Sequence, residues 1–394
     1  MSADRPLPAT PLRIGVVGAG SSGLLLTLLL QRQGHRVELF ERSPQRRSEG
    51  CGILLVRSGV EAVAAAAIPG LLDELLAAGR PVERFVIRNL RGDLIETSPA
   101  ERESGDLPSL LIRRQAILEV LWRQVDPTSF QGGAALQHWH QDGASVTASF
   151  SNGKRWQGDL LIGADGIFSQ VAPLLAPQRR LHYLGDRVWR GIAADGQVLE
   201  PGDFLVVARG RGVYANAFDL GPDATSQDQT SITHWGFFQE EPLPSNRAEQ
   251  RQLLQEPVPE QALAKIPATL AALIRATPPE QVVANWSFDI EPLPHLVAGR
   301  VGLIGDAGHA MSSSQARGMT AGLEDAVSLA RHLAQRSDPT QALAAYEAER
   351  RPIVHRYQER SRAISARTGR SRAPKQQAVA AGQEEEAASP SITA

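Results

Sequence analysis

The chain has 394 residues, 42% of them hydrophobic and 21% charged, so it carries enough apolar surface for more than one packed core and is not disordered overall. Its formal net charge of −2 leaves no electrostatic footprint for nucleic acid or for an anionic membrane surface. Cys51 is the only cysteine, which rules out an internal disulfide and a cysteine-built zinc or iron–sulfur site, and fits a reducing, cytoplasmic compartment.

The first segment predicts a strand over 12–17, a helix over 22–33 closed by Gly34, and a second strand over 36–41. Both strands are almost continuously apolar, as a sheet covered on both faces requires. The uncharged run 14–30 follows Arg5 and Arg13, as in a signal peptide or a short membrane span. A span needs about 20 apolar residues and a signal peptide a small-residue cleavage site. This run holds Gly15, Gly18, Gly20 and Gly23 and is followed at once by Gln31, Arg32 and Gln33, so it is read as strand, turn and helix, with no transmembrane segment.

Further on, a helix over 71–78 ends at Gly79, a hairpin joins 82–89 to 94–97 around Arg91-Gly92-Asp93, and a helix is expected over 110–122. Strands over 144–150 and 157–162 are joined through Ser151-Asn152-Gly153. From about residue 181 the pattern changes: 187–194, 204–208, 213–220 and 231–239 read as strands, several alternating polar and apolar residues as in an antiparallel sheet with one packed face. Helices over 246–255 and 268–276 follow, then a strand over 282–290, a short buried strand over 301–304 and a helix over 319–334. Residues 340–366 predict one or two helices broken at Pro352, and 369–394, poor in apolar residues beyond alanine, a disordered tail.

These pieces predict an α/β fold, a Rossmann-type domain interrupted by a mostly antiparallel β-sheet domain and followed by C-terminal helices. The first domain takes 1–78, 106–180 and 296–335, the inserted one 79–105 and 181–295, the C-terminal helices 336–368.

Three motifs carry chemistry. Gly18-Ala19-Gly20-Ser21-Ser22-Gly23 lies between the first strand and helix. Its first glycine makes the tight turn, its second admits a pyrophosphate against the backbone, and its third lets helix and strand pack, with phosphates at the positive helix end. Glu41 closes the second strand, where an acid accepts from ribose hydroxyls, with Arg42 beside it. This fingerprint marks a dinucleotide site without separating FAD from NAD. Gly163-Ala164-Asp165-Gly166 follows a strand and reads either as a ligand turn or as an ordinary turn locked by the Asp165 side chain. Gly305-Asp306 also follows a strand, with free backbone amides at Gly318 and Met319 soon after; it reads as a polar-ligand site or as a helix cap.

In this order the motifs resemble the class A flavoprotein monooxygenases, with the para-hydroxybenzoate hydroxylase fold and closest to the salicylate-hydroxylase-like branch. Gly50-Cys51-Gly52-Ile53, Arg114 at a helix start, Gly305-Asp306-Ala307-Gly308-His309, Leu323-Glu324-Asp325-Ala326 and the segment 346–351 match in type and place, so the resemblance covers about 12–365. It implies an FAD-binding domain with an inserted substrate domain. Gly18, Gly20, Ser22 and Gly23 would hold the FAD pyrophosphate, Glu41 and Arg42 the adenosine end, and Arg114 and Asp306 the ribityl–pyrophosphate region. Asp165 would support FAD and the transient visit of NADH or NADPH, and Gly318 and Met319 would face the flavin pyrimidine edge. The implied reaction is hydroxylation or epoxidation of an aromatic or polycyclic small molecule with O2, through a flavin C4a-hydroperoxide. Two other readings share these motifs: a flavin-dependent reductase or oxidase, and a non-catalytic FAD-binding protein.

The sequence departs from the family at three places. Ser312 to Gly318 replaces a proline-rich stretch and a Gly-Gln-Gly-like turn, Ala172 stands where an arginine often follows Val171, and the strand over 213–220 offers Tyr214 and Asn216 where related aromatic-acid hydroxylases carry a histidine. The substrate should lie between the antiparallel sheet and the flavin, near Arg190, Tyr214, Asn216, His234 and Trp235. Arg190, flanked by apolar residues, needs an anionic partner or the substrate. His234 is the acid–base candidate by intrinsic pKa. Trp189, Trp235, Phe237, Trp286 and Phe288 read either as walls for an apolar guest or as core, and His309 as structural.

Overall fold

The computed structural model describes residues 11–45, 51–194, 199–222 and 231–369. Gly50 and the expected tail over 370–394 lie outside the described residues.

A six-stranded sheet organises the first domain, in the order Val297–Ala298, Val301–Leu303, Leu160–Gly163, Arg13–Val17, Arg36–Phe40 and Phe130–Gln131. All neighbours are parallel except the first pair. The helix Ser21–Arg32 is buried along most of its length between this sheet and the helix Arg317–Gln335, so its leucines are core on every side. The apolar run 14–30 is therefore a buried strand and helix. No helix among the described residues is long and apolar enough to cross a membrane.

The second sheet has seven strands, in the order Val282–Ile290, Leu181–Ala194, Ser231–Glu240, Val213–Pro222, Asp203–Gly210, Arg84–Arg88 and Leu94–Pro99. Its pairs are antiparallel except Asp203–Gly210 with Arg84–Arg88. Period-two alternation divides its faces. One face puts Trp189, Ala215, Ala217, Trp235 and Phe237 into a core under the helices Glu260–Leu263 and Ala268–Ala276. The other carries Arg190, Tyr214, Asn216, Phe218 and His234, in register with one another.

Local pattern misplaces three elements. The stretch expected to start a helix at 110 is a strand, Leu110–Arg113, held between Gly52–Leu55 and Gly79–Pro81; the helix is Arg114–Trp122. The stretch 157–162 divides, because Arg155–Gly158 closes a meander while Leu160–Gly163 joins the parallel sheet. Pro352 sits inside one continuous helix, Pro339–Gly369. A mid-helix proline costs about 3 kcal/mol, and tertiary bonds on both sides of it offset that: the Tyr346 hydroxyl donates to the Leu303 carbonyl, and Gln358 donates to the carbonyls of Ile290 and Ala310.

Candidate active site

The three glycines of the first turn do different work. Gly18 has φ +108°, and a Cβ there would lie 2.3 Å from the Ala164 carbonyl oxygen; a Cβ on Gly23 would lie 2.0 Å from the Gly18 oxygen. Gly18 and Gly23 are thus required by the fold. A Cβ on Gly20 would meet nothing within 4 Å. Gly20 also caps the helix Ser21–Arg32 with no side-chain bond, so the positive helix end opens onto that space. An uncrowded glycine at an uncapped helix start is a cradle of the shape and charge a pyrophosphate needs.

Glu41 stands beside this turn, its carboxylate accepting from the amides of Ala19 and Ser43 at 3.0 Å each. Arg42 is exposed.

The second motif packs directly on the first, since Ala164 and Asp165 are the atoms that Gly18 spares. The Asp165 carboxylate accepts from the Ser169 hydroxyl and the Gln170 amide at 2.6 Å each and from the Val171 amide, which locks the turn at Gly166, φ +77°. Burial pushes this carboxyl up, against those bonds.

The third motif packs against the first. Gly305 has φ +59° and lies against the Ser22 hydroxyl, which is wedged between Gly305 and Gly322. Asp306 is open to solvent, with Gly318 close to its Oδ1. Protein crowding its other sides raises its carboxyl, while His309, Arg114 and Arg179 pull it down. Arg114 itself is exposed at its helix start, and Met319 is partly buried against the core. Ala316, just before the helix Arg317–Gln335, is left-handed at φ +53°. An L-residue there is strained by about 1 to 2 kcal/mol.

Spacing gave no sign of the buried scaffold behind Asp306. Asp325 accepts from the Gly305 amide at 2.9 Å, the His309 ring at 2.5 Å and the Arg350 Nε at 2.8 Å, while Arg350 also bonds Glu324 at 2.7 Å. Burial raises the Asp325 carboxyl, but the charges of His309 and Arg350 outweigh it and hold it at about 2. His309 is fully buried and structural. The signal for this network lay in the Leu323-Glu324-Asp325-Ala326 and 346–351 segments, but only tertiary packing brings them together.

The substrate-side candidates do not stay together. Trp235 points to the far face, its Nε1 donating to Thr277 at 2.8 Å, and Trp189 and Phe237 share that core. Tyr214 meets Phe238 edge-on, and burial raises its hydroxyl. His234 is buried between strands, its Nδ1 accepting from the Gly52 amide at 3.1 Å. Burial, then the charge of Arg190, hold its imidazole at about 3. His234 is therefore neutral near pH 7 and bonded to backbone, a poor proton carrier and a good anchor for Gly52. Arg190 donates to Asn285 Oδ1 at 2.6 Å and lies over the Phe238 ring, with Cys51 near its charge. Among the described residues no carboxylate is within ion-pair distance of Arg190.

Comparison with known proteins agrees with this geometry. The model of a family described as FAD binding domain matches residues 12–361. The FAD-dependent urate hydroxylase of Klebsiella pneumoniae is 31% identical over 344 residues, 85% of each chain. The salicylate hydroxylase of Pseudomonas putida is 29% identical, over 89% of this chain and 84% of its own. The structure of K. pneumoniae HpxO complexed with FAD and uric acid superposes with a TM-score of 0.77 at 26% identity, over 91% of this chain and 89% of that one. The chain belongs to this FAD-binding family, the class A flavoprotein monooxygenases, and its cofactor is FAD.

Proposed function

We propose that this monooxygenase inserts one oxygen atom of O2 into an aromatic or polycyclic small molecule that carries an anionic or strongly polarised oxygen, using NADH or NADPH as reductant. Arg190 carries this reading. A guanidinium keeps its charge at any working pH, and a largely enclosed one with only a neutral amide for a partner is unbalanced until an anion joins it. Arg190 lies on the sheet face that also holds Tyr214 and Asn216 and that packs, through His234, on the strand Gly52–Leu55.

Bound FAD supplies the redox chemistry. The chain supplies placement. Gly18, Gly20, Ser22 and Gly23 with the helix start hold the pyrophosphate, Glu41 and Arg42 the adenosine end, and Asp165, Arg114 and Asp306 the polar chain between. The amides of Gly318 and Met319 would face the flavin's pyrimidine edge. Arg190 and Tyr214 orient the substrate, and the apolar rings of Phe218 and Phe238 keep water off the reacting face. His234 fixes Gly52 and moves no proton. Relatives named for urate and for salicylate support a small aromatic guest. We place the reaction in the cytoplasm, where NAD(P)H and a reduced Cys51 are both maintained, with no nucleic-acid partner.

The test is NADH and NADPH oxidation by the purified yellow protein with a panel of aromatic acids and phenols and their neutral methyl derivatives. The expected result is faster turnover with the anionic members, one labelled oxygen from O2 in the product, and a KM raised roughly tenfold or more in Arg190→Met, the loss of one charge-assisted contact. Bound FAD with no stimulation by any aromatic compound would overturn it.

A further inference from the structure

Arg179 joins the second and third motifs, and no motif includes it. Its Nη2 donates to the Ile167 carbonyl at 2.6 Å, inside the turn that Asp165 locks, and reaches the Asp306 carbonyl at 3.5 Å. Its charge acts on both carboxylates, Asp165 and Asp306. Its Nε is buried without a hydrogen-bond partner, so packing as well as bonding fixes the guanidinium there.

The neighbourhood explains why the cation comes from this position. Ala172, soon after the turn that Asp165 locks, is fully buried in the core, so no charged group comes from that position. The chain leaves that short helix, Ala172–Leu175, and returns at Arg179 to the same turn. Burial disfavours the charge on each of these carboxylates. A cation bonded to the Ile167 carbonyl and reaching the Asp306 carbonyl counters that penalty at both residues and spans the two turns.

We propose that Arg179 is a positioning residue for the cofactor: it ties the Gly163–Gly166 turn to the Gly305–Asp306 turn and balances the charge of each aspartate, Asp165 and Asp306. This rests on the reading of those two aspartates as cofactor ligands. The charged groups facing Asp306 are His309 on its own short helix, Arg114 from the start of its helix, Arg179, and Asp325 from the helix Arg317–Gln335. Asp165 faces Arg179 and the bonds of its own turn. Burial already raises both carboxyls, so removing Arg179 raises them further, and acidification then neutralises the site at a higher pH.

The experiment measures FAD retained per protein after dilution of the holoenzyme at pH 8 and at pH 6, in the parent, Arg179→Gln and Arg179→Lys. Arg179→Gln should release FAD roughly tenfold more readily than the parent at pH 6, with a smaller deficit at pH 8. Arg179→Lys keeps the charge without the planar fork, so it should retain less FAD than the parent by a similar factor at both pH values. The proposal is overturned if Arg179→Gln holds FAD like the parent at both pH values. It is equally overturned if both variants lose FAD by the same factor at both pH values, the signature of packing alone. If Arg179→Gln does not fold, a steeper pH dependence in Arg179→Lys than in the parent also overturns it. Asp306→Asn with undiminished FAD would sink the aspartate reading instead, whatever the Arg179 variants do.

Discussion

Single residues divide here between those the fold needs and those a ligand needs, and the two glycines of the first turn show the difference. Gly18 is left-handed and jammed against Ala164, so Gly18→Ala should lower the melting temperature whether or not FAD is present. Gly20 has an ordinary backbone conformation, φ −78°, and nothing near its missing Cβ. Gly20→Val should therefore leave the melting temperature of the FAD-free protein within a few degrees of the parent, yet abolish the yellow colour after purification. A Gly20→Val protein that keeps stoichiometric FAD would show that the phosphates do not pass this point. The motif spacing is identical for both residues; only the packed neighbours separate their roles.

At the scale of elements, the loop that departs most from the family is held by a different device. Ser312 and Ser314 stand in the stretch where the family resemblance implies proline. Both hydroxyls dock on the C-terminal part of the helix Pro339–Gly369: Ser314 Oγ donates to the Ser361 carbonyl at 2.8 Å, and Ser312 Oγ meets Ser365 Oγ at 2.5 Å. Arg362 in the same helix makes a two-pronged ion pair with Asp289 at 2.8 and 2.9 Å, so this helix joins the loop to the seven-stranded sheet. Hydroxyl bonds replace ring stiffness in fixing the loop, at about 1 kcal/mol each. The double variant Ser312→Ala with Ser314→Ala should lose about 1 to 3 kcal/mol in urea unfolding. It should also consume more NAD(P)H per product formed, because a loosened wall admits water to the flavin edge. Unchanged coupling with the stability loss present would confine these serines to a structural role. The serines were legible as a departure, but not their partner helix, because local pattern breaks that helix at Pro352.

For the whole molecule, acid stability follows most from the two buried groups whose pKa values fall furthest on folding. His234, at about 3 in the fold against 6.5 in the open chain, contributes stability that is fully present above pH 6.5 and is lost progressively as pH falls toward 3. Asp325, at about 2 against 3.8, contributes stability that is present above about pH 4 and is lost as pH falls toward 2. Stability should therefore fall between pH 6.5 and pH 4 mainly through His234, before Asp325 contributes. Urea midpoints across that window should flatten in His234→Gln, which has no titrating group; an unchanged slope would place the acid sensitivity elsewhere. The βαβ unit, the antiparallel insertion and the order of the three glycine turns were all set by local pattern: apolar periodicity and glycine conformation act over a few residues and need no distant partner. Tertiary structure alone decided that Leu110–Arg113 is a strand, that Trp189, Trp235 and Phe237 are core, that Arg350 meets Asp325, and that Arg179 joins two turns. Each of these depends on a side chain finding charge or apolar surface far along the chain, and neither periodicity nor spacing encodes that distance.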